Sequence, residues 1–549
     1  MASEAITLSK FTWYNIPNNS LMEALMISKT NNMILKMGKR AERQDPNNLV
    51  STFVDVGPLF TLLSSNEHQI LYGRRGTGKT HALSYLANTI RSNGDVSIEI
   101  DMNTLGSTGG IYSDPQLPIS ERATRLLVDT LAGIHERLRI YVFDNNNDID
   151  FSILGPLLDG LSEAITEVIV QGDVQKEEVV GEKQQLKESI QDTLSVDKSS
   201  IQIKSQFEST NSHEHNKEYR YKSSGSERHR VHFGKVLSIL SKIMEQLSPK
   251  KCWILLDEWS EIPLDIQPYL ADLLRKTLFP LKNVIVKIAA IEQRSNFRIS
   301  TEHSGYIGIT IGSDIEVNLN LDEYMVFDNS SERAKEFFNK LFFRHMKSIS
   351  EESFSSEENF IQIVFTQLNG FDELVKAAEG VPRDAINIFS LAAQRAGMNK
   401  ISIPDIRGAT KTWYTTAKEK VISTRPMANQ LLRWIVEEVI KHRRARAFLL
   451  RSDIHDALID FLFDERVLHI LRESVSGQDQ PGVRYKVYSI DYGCYVDLVT
   501  TTKAPQGLFE VDSGNGVEFI DVPATDYRSI RRAILDIDKF YASIQEEVQ

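Results

Sequence analysis

Apolar residues recur along this chain with two different periods, and the changes of period mark its elements. Gln69 to Tyr72 is a short apolar run that stops at a glycine-rich loop, and HALSYLANTIRS beyond that loop has helical spacing. Val96 to Ile100 predicts a second strand. Ile266, Leu270, Leu274 and Leu278 recur at i, i+4 and place one apolar stripe on a helix over 264–278. Trp253 to Leu256 and residues 284–291 are apolar runs of strand length, the second interrupted by Lys287, and Ile315 to Leu319 is another candidate strand. Strands alternating with helices predict a parallel sheet covered on both faces, an α/β fold.

Other regions follow other patterns. A helical pattern from about Leu21 to Met37 precedes the polar stretch AERQDPNN, so residues 1–50 read as a helical extension. From about 145 to 230 the α/β pattern is interrupted. A helix around Phe151 to Val170 gives way to polar sequence, and ESTNSHEHNKEYRYKSSGSERH has almost no apolar residues. Such composition buries too little to order itself well. Alternation at Ile201, Ile203 and Phe207 fits the tip of a long hairpin. The pattern resumes with a helix to about Leu247 and is wholly helical from about 328 to 420. Beyond come a helix from Asn429 to Lys441, a basic turn, and helices near 453–464 and 466–474. Two hairpins, RYKVYSI-DYG-CYVDLV and LFEV-DSGNG-VEFIDV, precede a last helix from about Tyr527 to Ile544. The expected segments are 1–50, an α/β core over 51–325 with an insertion at 145–230, a helical segment over 326–420 and an α+β end over 421–549.

Composition narrows the setting. The chain has 549 residues, 41% hydrophobic and 25% charged, which is ordinary for a globular protein of several domains. Two cysteines cannot build a disulfide framework, which favours a reducing cytoplasm. MASEAITLSKF lacks the basic and apolar regions of a signal peptide, and no run approaches the ~20 apolar residues of a membrane span. A soluble cytoplasmic protein without a membrane partner is expected. The net charge of −12 argues against polyanion binding by bulk charge. Between Lys400 and Ser452, however, 12 Lys and Arg stand against 4 Asp and Glu, an asymmetry that can mark a nucleic-acid face.

The candidate chemistry lies in two places. GRRGTGKT, Gly73 to Thr80, fits G-x-x-x-x-G-K-[ST] at every fixed position. Backbone N–H groups of Gly73, Arg74, Arg75, Gly76, Thr77 and Gly78 can point at phosphate oxygens, with His81 just inside the helix that follows. Lys79 supplies a point charge for the β- and γ-phosphates, and the Thr80 hydroxyl suits Mg²⁺. The second place is KKCWILLDEWSEIPLDIQPYL, residues 250–270. Alone, it reads equally as a buried strand ending at a charged turn or as the carboxylate half of a nucleotide site. With the loop present, Asp257 is expected to hold Mg²⁺ through its water shell, and Glu258 to orient or deprotonate the attacking water. The 178 residues between Lys79 and Asp257 are accounted for by the insertion.

GRRGTGKT, LLDEW and GVPR at Gly380 to Arg383 together resemble the AAA+ ATPases, and most nearly their origin-recognition and initiator branch, which carries a C-terminal winged helix. The resemblance spans roughly residues 50 to 500. It implies a P-loop NTPase parallel sheet, a helical lid and a winged-helix-like α+β domain, with ATP and Mg²⁺ as cofactors and DNA or a neighbouring copy of the chain as partners. It also implies that Arg383 reaches the γ-phosphate and couples hydrolysis to lid movement. A polar sensor is expected after the next strand. The sequence there is Ala290-Ile291-Glu292-Gln293-Arg294, without Asn or Thr at the expected place, and Gln293 takes that role. Arg275, Arg294 and Arg298 are candidates for an arginine finger.

Arg443, Arg444 and Arg446 are candidates for DNA phosphates, or they complement the end of a helix. The stretch from Tyr485 to Leu498 fits a wing. His213, His215, His229 and His232 read as solvated loop rather than a metal site. Two functions remain open. One is an ATP-driven switch acting on DNA. The other is a signalling ATPase of the STAND type whose nucleotide-controlled assembly recognises a protein partner through residues 145–230, in a prokaryotic setting such as defence.

Overall fold

The computed structural model describes residues 18–55, 57–105, 111–145, 150–165, 168–179, 188–189, 218–229, 231–300, 305–324, 331–350, 354–443, 445–476, 482–496, 508–512, 517–521 and 533–547. Two compact units emerge. One comprises 61–71 and 86–319, the other 1–60, 72–85 and 320–549.

The unit over 61–71 and 86–319 is built on a five-stranded sheet. Its order is Glu316–Asn320, Gln69–Tyr72, Val284–Ala290, Cys252–Asp257, Val96–Asp101. Val96 pairs with Cys252 and Asp101 with Asp257 in parallel, and Cys252 pairs in parallel with Val284. Val284–Ala290 is buried at every position, because helices cover both faces of such a sheet. Lys287 interrupts its apolar run. Its ammonium donates to the carbonyls of Ser65 and Glu67 at 2.8 and 2.9 Å and bonds Gln69, while burial pushes its pKa down to about 7. Ile266, Leu270, Leu274 and Leu278 are all buried around helix Gln267–Thr277, as their spacing predicted. The helix Ile119–Asp144, 26 residues long, did not stand out in the sequence among its many charges. It buries Leu126, Leu127, Leu131, Ile134, Leu138 and Val142.

The expected hairpin exists as a ribbon. Val168–Val179 pairs antiparallel with Glu218–His229 from Val168↔His229 to Val179↔Glu218. The helix before it ends at Ile165, so residues 168–170 belong to the ribbon and not to the helix expected there. Ile201, Ile203, Phe207, His213 and His215 lie outside the described residues.

The other unit joins the N-terminal helix Asn18–Leu35 to the helices Ser331–Ile349, Glu357–Val364, Leu368–Ala378, Pro382–Ala396 and Ile403–Trp413. Asn31 donates to the carbonyls of Gly397 and Asn399 at 2.7 and 3.0 Å. Phe338, Phe342, Phe360, Phe371 and Phe389 form an aromatic core between these helices.

The C-terminal segment begins with Pro426–Val436, continued by a π-helical turn over Glu437–His442. Then come strand Ala447–Arg451, helix Ala457–Asp464, and strands Leu468–Ser476 and Arg484–Ile490. These strands form an antiparallel sheet with Arg484–Ile490 in the middle. Two expectations fail here. The stretch 466–474 is not helix: Leu468–Ser476 is a strand, paired antiparallel with Arg484–Ile490, with Leu468, His469, Ile470 and Leu471 buried in succession. The described part of the stretch expected as a wing, 485–496, is not a hairpin either. Arg484–Ile490 pairs back to Leu468–Ser476, and Tyr492–Tyr495 coils into a short helix. The second hairpin forms, with Leu508 opposite Asp521. The last helix is Ile537–Glu547, later than expected. No described helix is long and apolar enough to cross a membrane.

Candidate functional site

The phosphate loop leaves strand Gln69–Tyr72 and enters helix Lys79–Ser92. Gly76 and Gly78 have φ of +88° and +102°. Such a sequence of conformations turns successive N–H groups to one side. Lys79 is buried, and its ammonium donates to the carbonyls of Gly73 at 2.8 Å and Arg74 at 3.2 Å. Thr77 Oγ1 donates to the Arg74 carbonyl at 2.8 Å. Arg74 itself is buried. Its backbone N–H donates to Asp322 Oδ2 at 2.9 Å and its Nε to Asp322 Oδ1 at 2.7 Å. The His81 ring meets the Leu49 carbonyl at 2.6 Å and the edge of Phe53, and burial lowers its pKa.

Arg383 lies against this loop. Helix Leu368–Ala378 ends in two left-handed residues, Glu379 at φ +45° and Gly380 at +77°, and Pro382 starts the next helix. The turn sets Arg383 at the start of that helix. The Arg383 N–H donates to the Gly76 carbonyl at 3.2 Å. A Cβ on Gly76 would stand 2.8 Å from the Cβ of Arg383, so only glycine permits this approach.

The carboxylate half belongs to the sheet unit. Asp257 ends its strand opposite Asp101, and its carbonyl accepts the Met102 N–H at 3.0 Å. Its Oδ1 accepts the N–H of Glu258 at 2.9 Å. Glu258 is left-handed, with φ of +54°. Trp259 anchors the turn: it is fully buried and donates its indole N–H to Gln267 Oε1 at 3.1 Å. Ser260 Oγ accepts the Ile291 N–H at 2.6 Å, which ties the turn to the end of the neighbouring strand. Gln293 follows that end, and its Oε1 is buried with no hydrogen-bond partner among the described residues. A carboxylate, hydroxyls and backbone amides are hard donors of the kind that suit Mg²⁺ and phosphate rather than a soft metal. No cluster of three or more His, Cys, Asp or Glu that would hold a metal alone occurs among the described residues.

The ORC-CDC6-like family profile matches residues 38–368, more than half of the chain. The chain belongs to the ORC-CDC6-like family. This bears out the resemblance to origin-recognition and initiator AAA+ ATPases. No curated protein matches the chain. Among solved structures it is similar to the Aeropyrum pernix Orc1 protein in complex with DNA, at 11% identity over 82% of this chain and 93% of that one, with a TM-score of 0.28.

In this ORC-CDC6-like protein the remaining arginine candidates lie outside the phosphate loop. Arg275 pairs with Asp272 at 2.7 Å, Arg298 lies over the Tyr306 ring at 4.2 Å, and Arg294 lies in the short turn that also holds Gln293. Arg443 caps the π-helical turn 4.0 Å from Glu438, which fits the helix-end reading. Arg444 lies outside the described residues, and Arg446 accepts the Ile490 N–H on its backbone carbonyl. The basic excess over 400–452 is partly spent inside the fold. Lys418 is buried beside Asp384 and Asp491 and Arg407 pairs with the buried Glu373, while Arg451 pairs with Asp453 at the surface. The partners of Arg74, namely Asp322 and His469, were not found from sequence. No local motif marks them; a histidine inside the apolar VLHIL was the one visible sign.

Proposed function

We propose that this chain is an ATP-binding and ATP-hydrolysing switch of the cytoplasm that acts on DNA through its C-terminal α+β segment. The observation that carries the ATP reading is the complete phosphate loop with Gly76 packed against Arg383, in a chain of this family. In this reading Lys79 exchanges the carbonyls of Gly73 and Arg74 for the β- and γ-phosphates, and the N–H groups of the loop up to Thr80 hold the phosphate oxygens, apart from that of Arg74, which Asp322 accepts. Thr80 and Asp257 hold Mg²⁺, which neutralises charge on those oxygens. Glu258 orients the attacking water and takes its proton. Gln293 turns its amide so that the NH₂ group faces the γ-phosphate. Arg383, fixed to the loop through its N–H, reads the same phosphate and passes its loss to the lid helices.

The DNA role rests on the family and on the basic stretch that holds Arg443, Arg444 and Arg446. A second reading is favoured by the ribbon of 12 paired positions, which offers a long edge to a protein partner in a nucleotide-controlled assembly of copies of this chain. ATP turnover measured with and without duplex DNA separates the two. Stimulation by DNA, lost when the three arginines are neutralised, supports the switch on DNA. Assembly on ATP without DNA affinity supports the second reading. For the site itself, Lys79→Ala is expected to lose nucleotide binding. Glu258→Gln is expected to keep ATP binding while turnover falls at least a hundredfold, in the range typical of a lost general base. Unchanged turnover in Glu258→Gln removes that residue from the reaction.

A further inference from the structure

Arg74 occupies a position that the phosphate-loop pattern leaves free, yet it is among the most tightly held residues of its unit. Only 2% of it is exposed. Besides Asp322, its Nη1 donates to the Leu468 carbonyl at 3.0 Å and to His469 Nδ1 at 2.9 Å, and Phe463 lies under the guanidinium at 4.6 Å. These partners are 394 and 395 positions away, in the C-terminal segment.

The contact fixes the protonation of His469. An arginine only donates, so Nδ1 must accept and the proton sits on Nε2. Nε2 faces Asp491 Oδ2 at 3.1 Å, a suitable acceptor. The same Asp491 oxygen accepts Lys418 Nζ at 2.6 Å. Lys418 also donates to the Arg466 carbonyl at 3.0 Å and pairs with Asp384 at 3.0 Å, and Arg466 Nε reaches Asp384 at 3.2 Å. Asp384 is wholly buried and directly follows Arg383, whose N–H donates to Gly76. The path therefore closes on itself. It leaves the loop at Arg74, passes through His469, Asp491, Lys418 and Asp384, and returns through Arg383 to Gly76.

Three cations, Arg74, Lys418 and Arg466, balance three carboxylates, Asp322, Asp384 and Asp491, around a neutral histidine. Buried charge of this kind contributes little net stability, but it penalises any arrangement that separates the partners. Both ends of the path are fixed to the loop that would hold the nucleotide phosphates.

We propose that His469 and Asp491 are positioning residues of the nucleotide site, holding the phosphate loop through Arg74 and the lid arginine through Lys418 and Asp384, so that the C-terminal segment sets the affinity for ATP. The inference rests on the ATP reading above. Whatever shifts the C-terminal strands shifts the loop, and by linkage nucleotide binding shifts the strands.

The test is titration of the full chain with a fluorescent ATP analogue, with folding checked by circular dichroism. His469→Ala is expected to weaken binding about tenfold, within the usual range of coupling between sites. Arg74→Ala combined with His469→Ala should be no weaker than Arg74→Ala alone, because both remove one contact. His469→Asn, whose side-chain oxygen can take the place of Nδ1, should recover most of the loss. A folded His469→Ala protein that binds as tightly as the parent, or losses that add, overturns the inference while leaving the ATP reading intact. If His469→Ala does not fold, Arg74→Lys takes its place. It keeps the charge beside Asp322 but not the bond to His469, and parent-like affinity there overturns the inference equally. A parent chain that binds no ATP overturns both.

Discussion

Glu258 holds a backbone conformation that residues with a Cβ avoid. In an unbroken strand Asp257 and Glu258 would face opposite sides of the sheet. The left-handed φ of +54° breaks that alternation, and the buried Trp259 and the bond from Ile291 to Ser260 hold the break in place. A left-handed residue with a side chain costs roughly 1–2 kcal/mol. Strain of this kind is tolerated where a site needs it. Glycine should therefore be the more stable replacement, against its usual rank. Glu258→Gly is expected to unfold at a higher urea concentration than Glu258→Ala, by about 1 kcal/mol, with both inactive. Alanine being the more stable of the two would show that the turn carries no strain. The pair of acids was legible in the sequence as a motif. Its conformation was not, because a left-handed glutamate has no local signature.

Among elements, the lid helix Ile403–Trp413 shows how closely local chemistry and fold agree. Ser402 Oγ accepts the Asp405 N–H, and Asp405 returns a carboxylate oxygen to the Ser402 N–H at 3.0 Å, a reciprocal cap. Pro404 lies in the first turn, where its missing N–H costs nothing. This helix carries Arg407, which pairs with the buried Glu373 at 2.6 Å. Ser402→Ala should destabilise the unit by about 1 kcal/mol, read as a lower melting temperature with nucleotide affinity unchanged. No change in melting would mean that the cap is replaced by solvent. Elements with a period of their own were legible this way, including the strands Gln69–Tyr72 and Val284–Ala290 and the helix stripe from Ile266 to Leu278. Leu468–Ser476 was not, because VLHILRESV satisfies the helical spacing as well as a run buried on both faces. Burial against the rest of the fold decides between them, and that is tertiary information. The charge path through Arg74 was hidden for the same reason, since each of its links joins residues far apart in the chain or of ordinary type.

For the whole molecule, buried histidines set a direction for the dependence of stability on pH. His345 and His469 belong to the unit that contains the phosphate loop. Burial, with the nearby His81, pushes the pKa of His345 down to about 3. Burial, reinforced by Arg74, pushes that of His469 down to about 4. In the unfolded chain both return to about 6.5. Between these values the unfolded chain binds protons that the folded unit does not, so stability is fully present above pH 6.5 and falls as the pH is lowered. Protonation of His469 would also set a donor against the guanidinium of Arg74, so acid should loosen the loop and the fold together. Each histidine contributes a slope of about 1.4 kcal/mol per pH unit in the middle of the window. Asp384 and Asp491 act in the same sense at lower pH. For Asp384, burial raises the pKa but Arg466 and Lys418 together outweigh it. For Asp491, burial likewise raises it, and Lys418 with His469 outweighs that. The urea midpoint is expected to drop steadily between pH 6.5 and 5, with His81, whose pKa burial also lowers, acting in the same sense, and His469→Asn should make that slope shallower. A midpoint that stays level across the window would mean that these two rings are already protonated in the folded unit, and the neutral His469 assigned from its contact with Arg74 would have to be given up.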